Sequence, residues 1–268
     1  MNKFWKSGDP FVWLTGVALM FSLLMIAGLL WLIMAKGLAF FWPQNLVEYE
    51  LENGTKILGE VTAHEKIRGI KGEAVGDGEE YRTQLKIGNR DLYGLDFRWI
   101  NDDRIVSTTE PKYAVAMERR EWGNFYGFIK DMTEDGNVVC RGNKECWPKL
   151  KKDIPEYAAI YDKIRSIEKG EIGAINRKIE SYRLDIREIE MEGGSEQRIQ
   201  ELQAKIETQQ SEYREKEQEL AVLYKQLNKE KITMVSVDGK EKEMAVGNVV
   251  RAYRPNDMNW FQKAGLYA

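Results

Sequence analysis

Histidine occurs once in this chain of 268 residues, at His64, and cysteine twice, at Cys140 and Cys146. One imidazole removes most routes to general-base catalysis or nucleophile activation. With so few soft ligands, a closed four-ligand zinc site is not expected, and His64 reads as a residue of a solvated strand or turn. A block of positive charge is also missing. Forty Lys and Arg against 43 Asp and Glu give a net charge of −3, whereas nucleic-acid binding needs a positive footprint that displaces counterions. There is no P-loop, no dinucleotide fingerprint, no Gly-x-Ser-x-Gly and no metal-ligand cluster. Gly72, Gly76 and Gly78 have the wrong spacing for a phosphate cradle and lack a strand-to-helix setting. The adjacent carboxylates Glu79-Glu80 and Asp102-Asp103 read as solvated turns. The expectation is a non-enzyme without catalytic residues, cofactor or metal.

One long hydrophobic run is present, and only one. Phe11 to Ala35 are 25 consecutive uncharged, mostly apolar residues, and no second run near 18 residues follows. As a helix such a run crosses about 30 Å of hydrocarbon with some tilt. Phe4, Trp5, Phe11 and Trp13 flank its start, and Trp31, Phe40, Phe41 and Trp42 its end, as rings that favour the headgroup zone. The run is too long for the apolar region of a signal peptide, and Ala35-Lys36-Gly37-Leu38-Ala39 is a poor cleavage site. An uncleaved anchor is expected. Lys3, Lys6 and the amino terminus before it, against Lys36 after it, favour a cytoplasmic amino terminus (residues 1–10) and a bulk outside. Removing residues 1–36 takes away three basic residues and one acidic residue, leaving a net charge of −5. In an oxidising space Cys140 and Cys146, with five residues between them, would close a small-loop disulfide. With the opposite orientation they would be free thiols in a turn.

Residues 46–150 read as a β-rich module. Val47-Glu48-Tyr49-Glu50-Leu51 alternates apolar and polar, Asn53-Gly54 suits a two-residue hairpin turn, and Lys56 to Val61 returns. Asp77-Gly78 and Asp135-Gly136 are further turn signals, and residues 69–80 read as a mobile loop. Tyr93, Phe97, Trp99, Trp122, Phe125, Tyr126 and Phe128 are candidates for its core. After the helical region, residues 232–255 resume the β pattern, with an Asp238-Gly239 turn. The tail 256–268 carries Trp260, Phe261, Leu266 and Tyr267, suited either to a membrane interface or to packing on the β module.

Between these segments, residues 153–231 have helical periodicity. Asp153 is the expected cap of the first helix, with Pro155 in its first turn. Ile172, Ile175, Ile179, Tyr182, Ile186 and Ile189 step by three and four. Ile160, Ile164 and Ile167 begin the same stripe, but the step from Ile167 to Ile175 is eight, which predicts a bend or local packing change. Gly193-Gly194 breaks the helix and Ser195 can cap a second one. Its seam is Ile199, Leu202, Ile206, Gln209, Tyr213, Lys216, Leu220, Leu223 and Leu227. Two heptad helices joined by two glycines predict an antiparallel coiled-coil hairpin. The alternative, one continuous intermolecular helix, must keep both glycines helical at about 1 kcal/mol each. The expected fold is α+β and membrane-anchored: one transmembrane helix, a β-rich module, and this hairpin inserted before the module's last strands.

Phe4-Trp5-Lys6-Ser7-Gly8-Asp9-Pro10, Trp13-Leu14-Thr15-Gly16, Lys36-Gly37-Leu38-Ala39-Phe40-Phe41-Trp42-Pro43 and Tyr253-Arg254-Pro255-Asn256 together resemble the long, PstA-type form of the phosphate ABC-transporter permease subunit of gammaproteobacteria. The resemblance covers essentially the whole chain. It implies a bacterial inner-membrane location, a periplasmic β-plus-coiled-coil region, and partners among sister permease subunits and a periplasmic phosphate-binding protein. The family's further membrane helices and cytoplasmic coupling loop have no counterpart here, so no phosphate-contacting residue carries over and this stretch alone is not transport-competent. The chain is expected to be either the amino-terminal portion of a longer permease or a stand-alone relative. A second reading is a single-pass periplasmic adaptor or scaffold, similar to membrane-fusion proteins, that binds partners through its hairpin. Such proteins place matching β segments on both sides of the hairpin, whereas the β-like stretch is longer before it than after it here.

Overall fold

The computed structural model describes residues 9–67 and 80–267. The segment before residue 9, the Asp77-Gly78 turn and all but the last residue of the 69–80 loop lie outside the described residues. The chain divides into two units: residues through Gln44 together with those from Met258 onward, and Asn45–Asp257.

The first unit is built on α1 (Asp9–Phe41). Its window Phe11–Gly37 has a mean hydropathy of 2.6 over 27 residues, with none of the window buried. That makes it long and apolar enough to cross a membrane. The polar groups inside it find partners in the helix itself: Thr15 Oγ1 donates to the Val12 carbonyl at 2.9 Å and Ser22 Oγ to the Ala18 carbonyl at 3.0 Å. In hydrocarbon a free hydroxyl has no water to bond, so internal bonding is the arrangement that a membrane span would need. The unit closes with a short helix over Trp260–Ala264, capped reciprocally by Asn259 and Gln262.

The second unit holds two antiparallel sheets. Strands β1 (Leu46–Leu51), β2 (Lys56–Lys66), β3 (Tyr81–Lys86), β4 (Phe97–Asn101) and β5 (Ile105–Thr109) form the first, in the order β4-β3-β2-β1-β5. A one-turn helix, α2 (Arg90–Tyr93), links β3 to β4. The alternation of β1 puts Val47, Tyr49 and Leu51 on one face, packed with Ile57, Leu85, Ile87 and Ile100. The second sheet contains β6 (Val115–Arg119), β7 (Asn124–Glu134), β8 (Asn137–Arg141), β9 (Glu230–Val235), β10 (Glu241–Ala245) and β11 (Val249–Tyr253). Its order is β10-β9-β7-β6-β11, with β8 also on β7. β9 and β11 pair with β7 and β6, strands that precede the helices. The helical region is therefore inserted into the second sheet, while the first sheet is complete before it.

Turn chemistry follows local sequence at some turns and departs from it at others. Asp135 (φ 48°) and Gly136 (φ 83°) both take positive φ and make a two-residue connection between the paired Glu134 and Asn137. Asn53-Gly54 does not. The Gly54 N–H donates to the Leu51 carbonyl at 2.8 Å and the Leu51 N–H to the Thr55 carbonyl at 2.9 Å, so the loop has three residues with Gly54 as the left-handed one.

The expected aromatic core needs correction. Phe125 and Tyr126 are fully buried, but Trp122, Phe97 and Trp99 are 61%, 50% and 38% exposed, and Tyr93 and Phe128 are half-buried. β4 is an edge strand whose inward place is taken by Ile100, so the alternate residues Phe97 and Trp99 face away from that core. Trp122 sits in the β6–β7 turn at φ 67°, where its backbone rather than its ring is recruited.

The first long helix also begins earlier than its sequence suggests. α3 runs Gly142–Arg165, with Pro148 and Pro155 both inside it, so residues 142–150 belong to the helix and Asp153 is not its cap. Each proline removes an N–H bond. Both prolines are exposed, as are Lys144 and Lys151 four residues before them, so the freed carbonyls lie where water can reach them. A π segment (Ser166–Ile172) follows, then α4 (Gly173–Glu192) and α5 (Glu196–Leu227).

Candidate docking arm and its root

α4 packs principally along α5, and α3 packs on both β7 and α5. The π segment falls at the eight-residue step between Ile167 and Ile175. A wider turn absorbs the extra residue and keeps both isoleucines on one face. At the root, Ile164 and Ile167 pack with Leu220, Leu223 and Leu227. Farther along, Ile175, Ile179, Leu202 and Gln209 are buried, while Ile186, Ile199 and Ile206 are half-buried.

The arms are joined by a turn that depends on glycine. Gly193 has φ 68°, its N–H faces the Glu190 carbonyl at 3.4 Å, and the Gly194 N–H bonds the Ile189 carbonyl at 2.8 Å. A Cβ on Gly194 would stand 2.8 Å from Ile189 Cγ2. Ser195 occupies the first capping position of α5 but makes no side-chain cap bond. The polar seam members behave differently. Lys216 leaves the seam to pair with Glu171 at 2.7 Å and Glu219 at 3.0 Å. Gln209 stays buried, donating through Nε2 to Glu212 at 3.0 Å, and its Oε1 has no partner among the described residues. Lys163 pairs with Glu219 at 2.9 Å, and Tyr224 donates to Glu168 at 2.6 Å. That bond, with some burial, pushes the Tyr224 phenol up to about 12.

The root of the arm is fastened to the second sheet in four ways. Cys140 on β8 is disulfide-bonded to Cys146 on α3, with the Cα atoms 5.3 Å apart. Cys146 and Leu150 enter the sheet's core beside Met132, Ile232 and Met234. Lys149 pairs with Asp153 at 2.9 Å and with Glu230 on β9. Burial pushes the Glu230 carboxyl up, with the Asp153 charge in the same direction, despite Lys149. Finally, the Arg120 guanidinium lies 3.4 Å over the Tyr161 ring, and that of Arg254 4.6 Å over Trp147.

Several constellations were not legible in the sequence. His64 Nε2 lies 2.7 Å from Asp102 Oδ2, Thr83 donates to the other carboxylate oxygen at 2.8 Å, and Tyr81 stacks on the imidazole at 5.1 Å. The register His64↔Thr83↔Ile100 brings these residues together from β2, β3 and the turn that follows β4, although His64 itself sits on an exposed part of β2. Arg119 grips Asp91 with two bonds of 2.9 and 3.0 Å, and Lys242 adds a third contact at 3.2 Å. Burial pushes the Asp91 carboxyl up, but these cations outweigh it and hold it below its ordinary value. A cleft of about 400 Å³ is bordered by Tyr93, Phe97, Arg98, Trp99, Tyr126 and Asp238. Among the described residues no three His, Cys, Asp or Glu side chains gather where a metal could be held. No family model, curated protein or solved structure matches the chain.

Proposed function

We propose that the chain is the membrane-tethering and periplasmic region of an inner-membrane phosphate importer permease, with its helical hairpin acting as a coiled-coil docking arm. The observation that carries this reading is α1, whose apolar window of 27 residues is exposed on every side. Such a surface is stable only when lipid or protein replaces water around it. The Cys140–Cys146 bond supports an oxidising compartment for the second unit, which agrees with the Lys3 and Lys6 bias toward a cytoplasmic amino terminus. The importer assignment comes from the resemblance of residues 4–16, 36–43 and 253–256. In this reading the disulfide and the Lys149 ion pairs hold the arm's root rigid, and its outer half is free to meet a sister permease or a phosphate-binding protein.

A single-pass adaptor is the second reading. Leu184 (61% exposed), Met191 (82%) and Val222 (57%) favour it, because they place apolar side chains on the outer faces of the arm. Deleting two heptads from each arm, residues 179–192 and 196–209, shortens the arm while keeping the turn and its register. In cells that depend on this chain, phosphate uptake is expected to fall several-fold at unchanged membrane abundance. Unchanged uptake contradicts the docking role, and unchanged uptake on removal of the whole chain contradicts the phosphate-importer reading.

A further inference from the structure

Trp42 follows Gly37, the last residue of the apolar window, by five positions. At 1.5 Å per helical residue that is about 7 Å, comparable to the thickness of one headgroup layer. Trp260 meets Trp42 with ring centroids 5.7 Å apart, and Phe261 meets Trp260 edge to face at 5.2 Å. Three large rings from two distant parts of the chain thus form one cluster, in the unit that also contains α1. The reciprocal Asn259–Gln262 cap, with both bonds at 2.9 Å, fixes the short helix that presents Trp260 and Phe261.

Packing alone does not account for this cluster. A ring that serves as an internal wedge is buried, yet Trp260 is 64% and Phe261 79% exposed with their mutual contacts included. Adjacent exposed rings of this size are costly in water and favourable in the interfacial layer, where an apolar body and a polar edge are both satisfied. The chain leaves α1 just before Trp42, so the cluster lies at the carboxyl end of that helix.

We propose that Trp42, Trp260 and Phe261 form a lipid-interface anchor, which seats the tail beyond Met258 in the headgroup layer at the carboxyl end of α1. The inference rests on the membrane reading of α1. It adds a second attachment to the bilayer, in the tail that follows Asp257.

The test uses the full chain in lipid nanodiscs with an environment-sensitive fluorophore on a single introduced cysteine. Cys140 and Cys146 are bonded to each other and do not react. Three sites are compared: Ala264→Cys in the tail, Ile26→Cys within α1 and Leu184→Cys on the arm. The expected result is quenching at 264 by nitroxide placed in the headgroup region, deep-nitroxide quenching at 26, and iodide access at 184 alone. Adding Trp260→Ser and Phe261→Ser should move the 264 label into water without changing the label at 26. Iodide access at 264 equal to that at 184, with 26 still quenched by lipid, overturns the anchor and leaves the membrane reading of α1 intact. Persistent lipid quenching at 264 in the double serine variant also overturns it. Water access at both 26 and 264 removes the membrane reading and the anchor with it.

Discussion

Asn256 ties the end of the second unit to its beginning. Its Nδ2 donates to the Leu46 carbonyl at 2.8 Å and the Pro111 carbonyl at 3.0 Å, while its Oδ1 accepts the Leu46 N–H at 2.8 Å. The Leu46 N–H and carbonyl both lose this partner when the amide is removed, while the Pro111 carbonyl keeps the Ala114 N–H at 3.1 Å. Asn256→Ala is therefore expected to lower unfolding free energy by about 2–3 kcal/mol, measured by denaturant titration of the second unit's tryptophan signal. A change within 0.5 kcal/mol would show that water replaces the amide at no cost. Asn89 does the same work between the sheets: 2% exposed, it bonds the Tyr126 backbone through both ends of its amide, at 2.7 and 2.9 Å. The neighbouring Gly88 has φ 55°, and a Cβ there would stand 2.6 Å from the Asn124 carbonyl, so these two residues fix one close approach. Asp91 supplies a pH dependence. Its folded pKa lies below the ordinary value, so its stabilising share is complete above the unfolded pKa near 3.9 and is lost as pH falls through the folded pKa. Asp91→Asn should flatten the acid limb of stability below about pH 4, and an acid limb identical to the parent's would contradict this. None of these roles was legible in advance, because Asn256, Asn89 and Asp91 each bond groups far away in sequence, and no local pattern announces that.

Periodicity and turn chemistry are local, and at the scale of elements they were the readable part. The alternation in β1, the positive-φ pair at Asp135-Gly136 and the three-four steps of the helices each have a physical cause within a few residues. The eight-residue step was readable as a disturbance but not as a π segment, since a bend would meet the same interval. The start of α3 was misplaced because Pro148 argues against a helix by propensity, while Asp153 followed by Pro155 imitates a helix start. The disulfide, the burial of Cys146 and Leu150 and the exposed setting of both prolines override that propensity. The Asn53-Gly54 loop shows the finer limit: the dipeptide marks the turn but does not fix its length. At the arm's turn, Gly193 takes a left-handed conformation that costs a side-chain-bearing residue about 1–2 kcal/mol. Gly193→Ala with Gly194→Ala should open the turn, favour a continuous helix and produce dimers in detergent, read by light scattering. A variant that stays monomeric with unchanged stability would count against the hairpin's dependence on these glycines.

The molecule as a whole joins an apolar helix to an α+β unit whose second sheet is shared across the inserted helices. That division was legible in the sequence because hydrophobic length and charge density change abruptly at residue 36 and again near the helical region. The separation into two sheets was not, since strand order depends on pairings as distant as β1 with β5 and β11 with β6. The proposed role depends on which side of the membrane the second unit occupies. Sidedness decides whether the Cys140–Cys146 bond persists and which partners the arm can meet. Fusing alkaline phosphatase, active only outside the cytoplasm, or a fluorescent protein, active only within it, after Ala268 reads this out in intact cells. An active phosphatase and a dark fluorescent fusion are expected. A bright fluorescent fusion with an inactive phosphatase would contradict the topology, the oxidised cysteines and the docking role together.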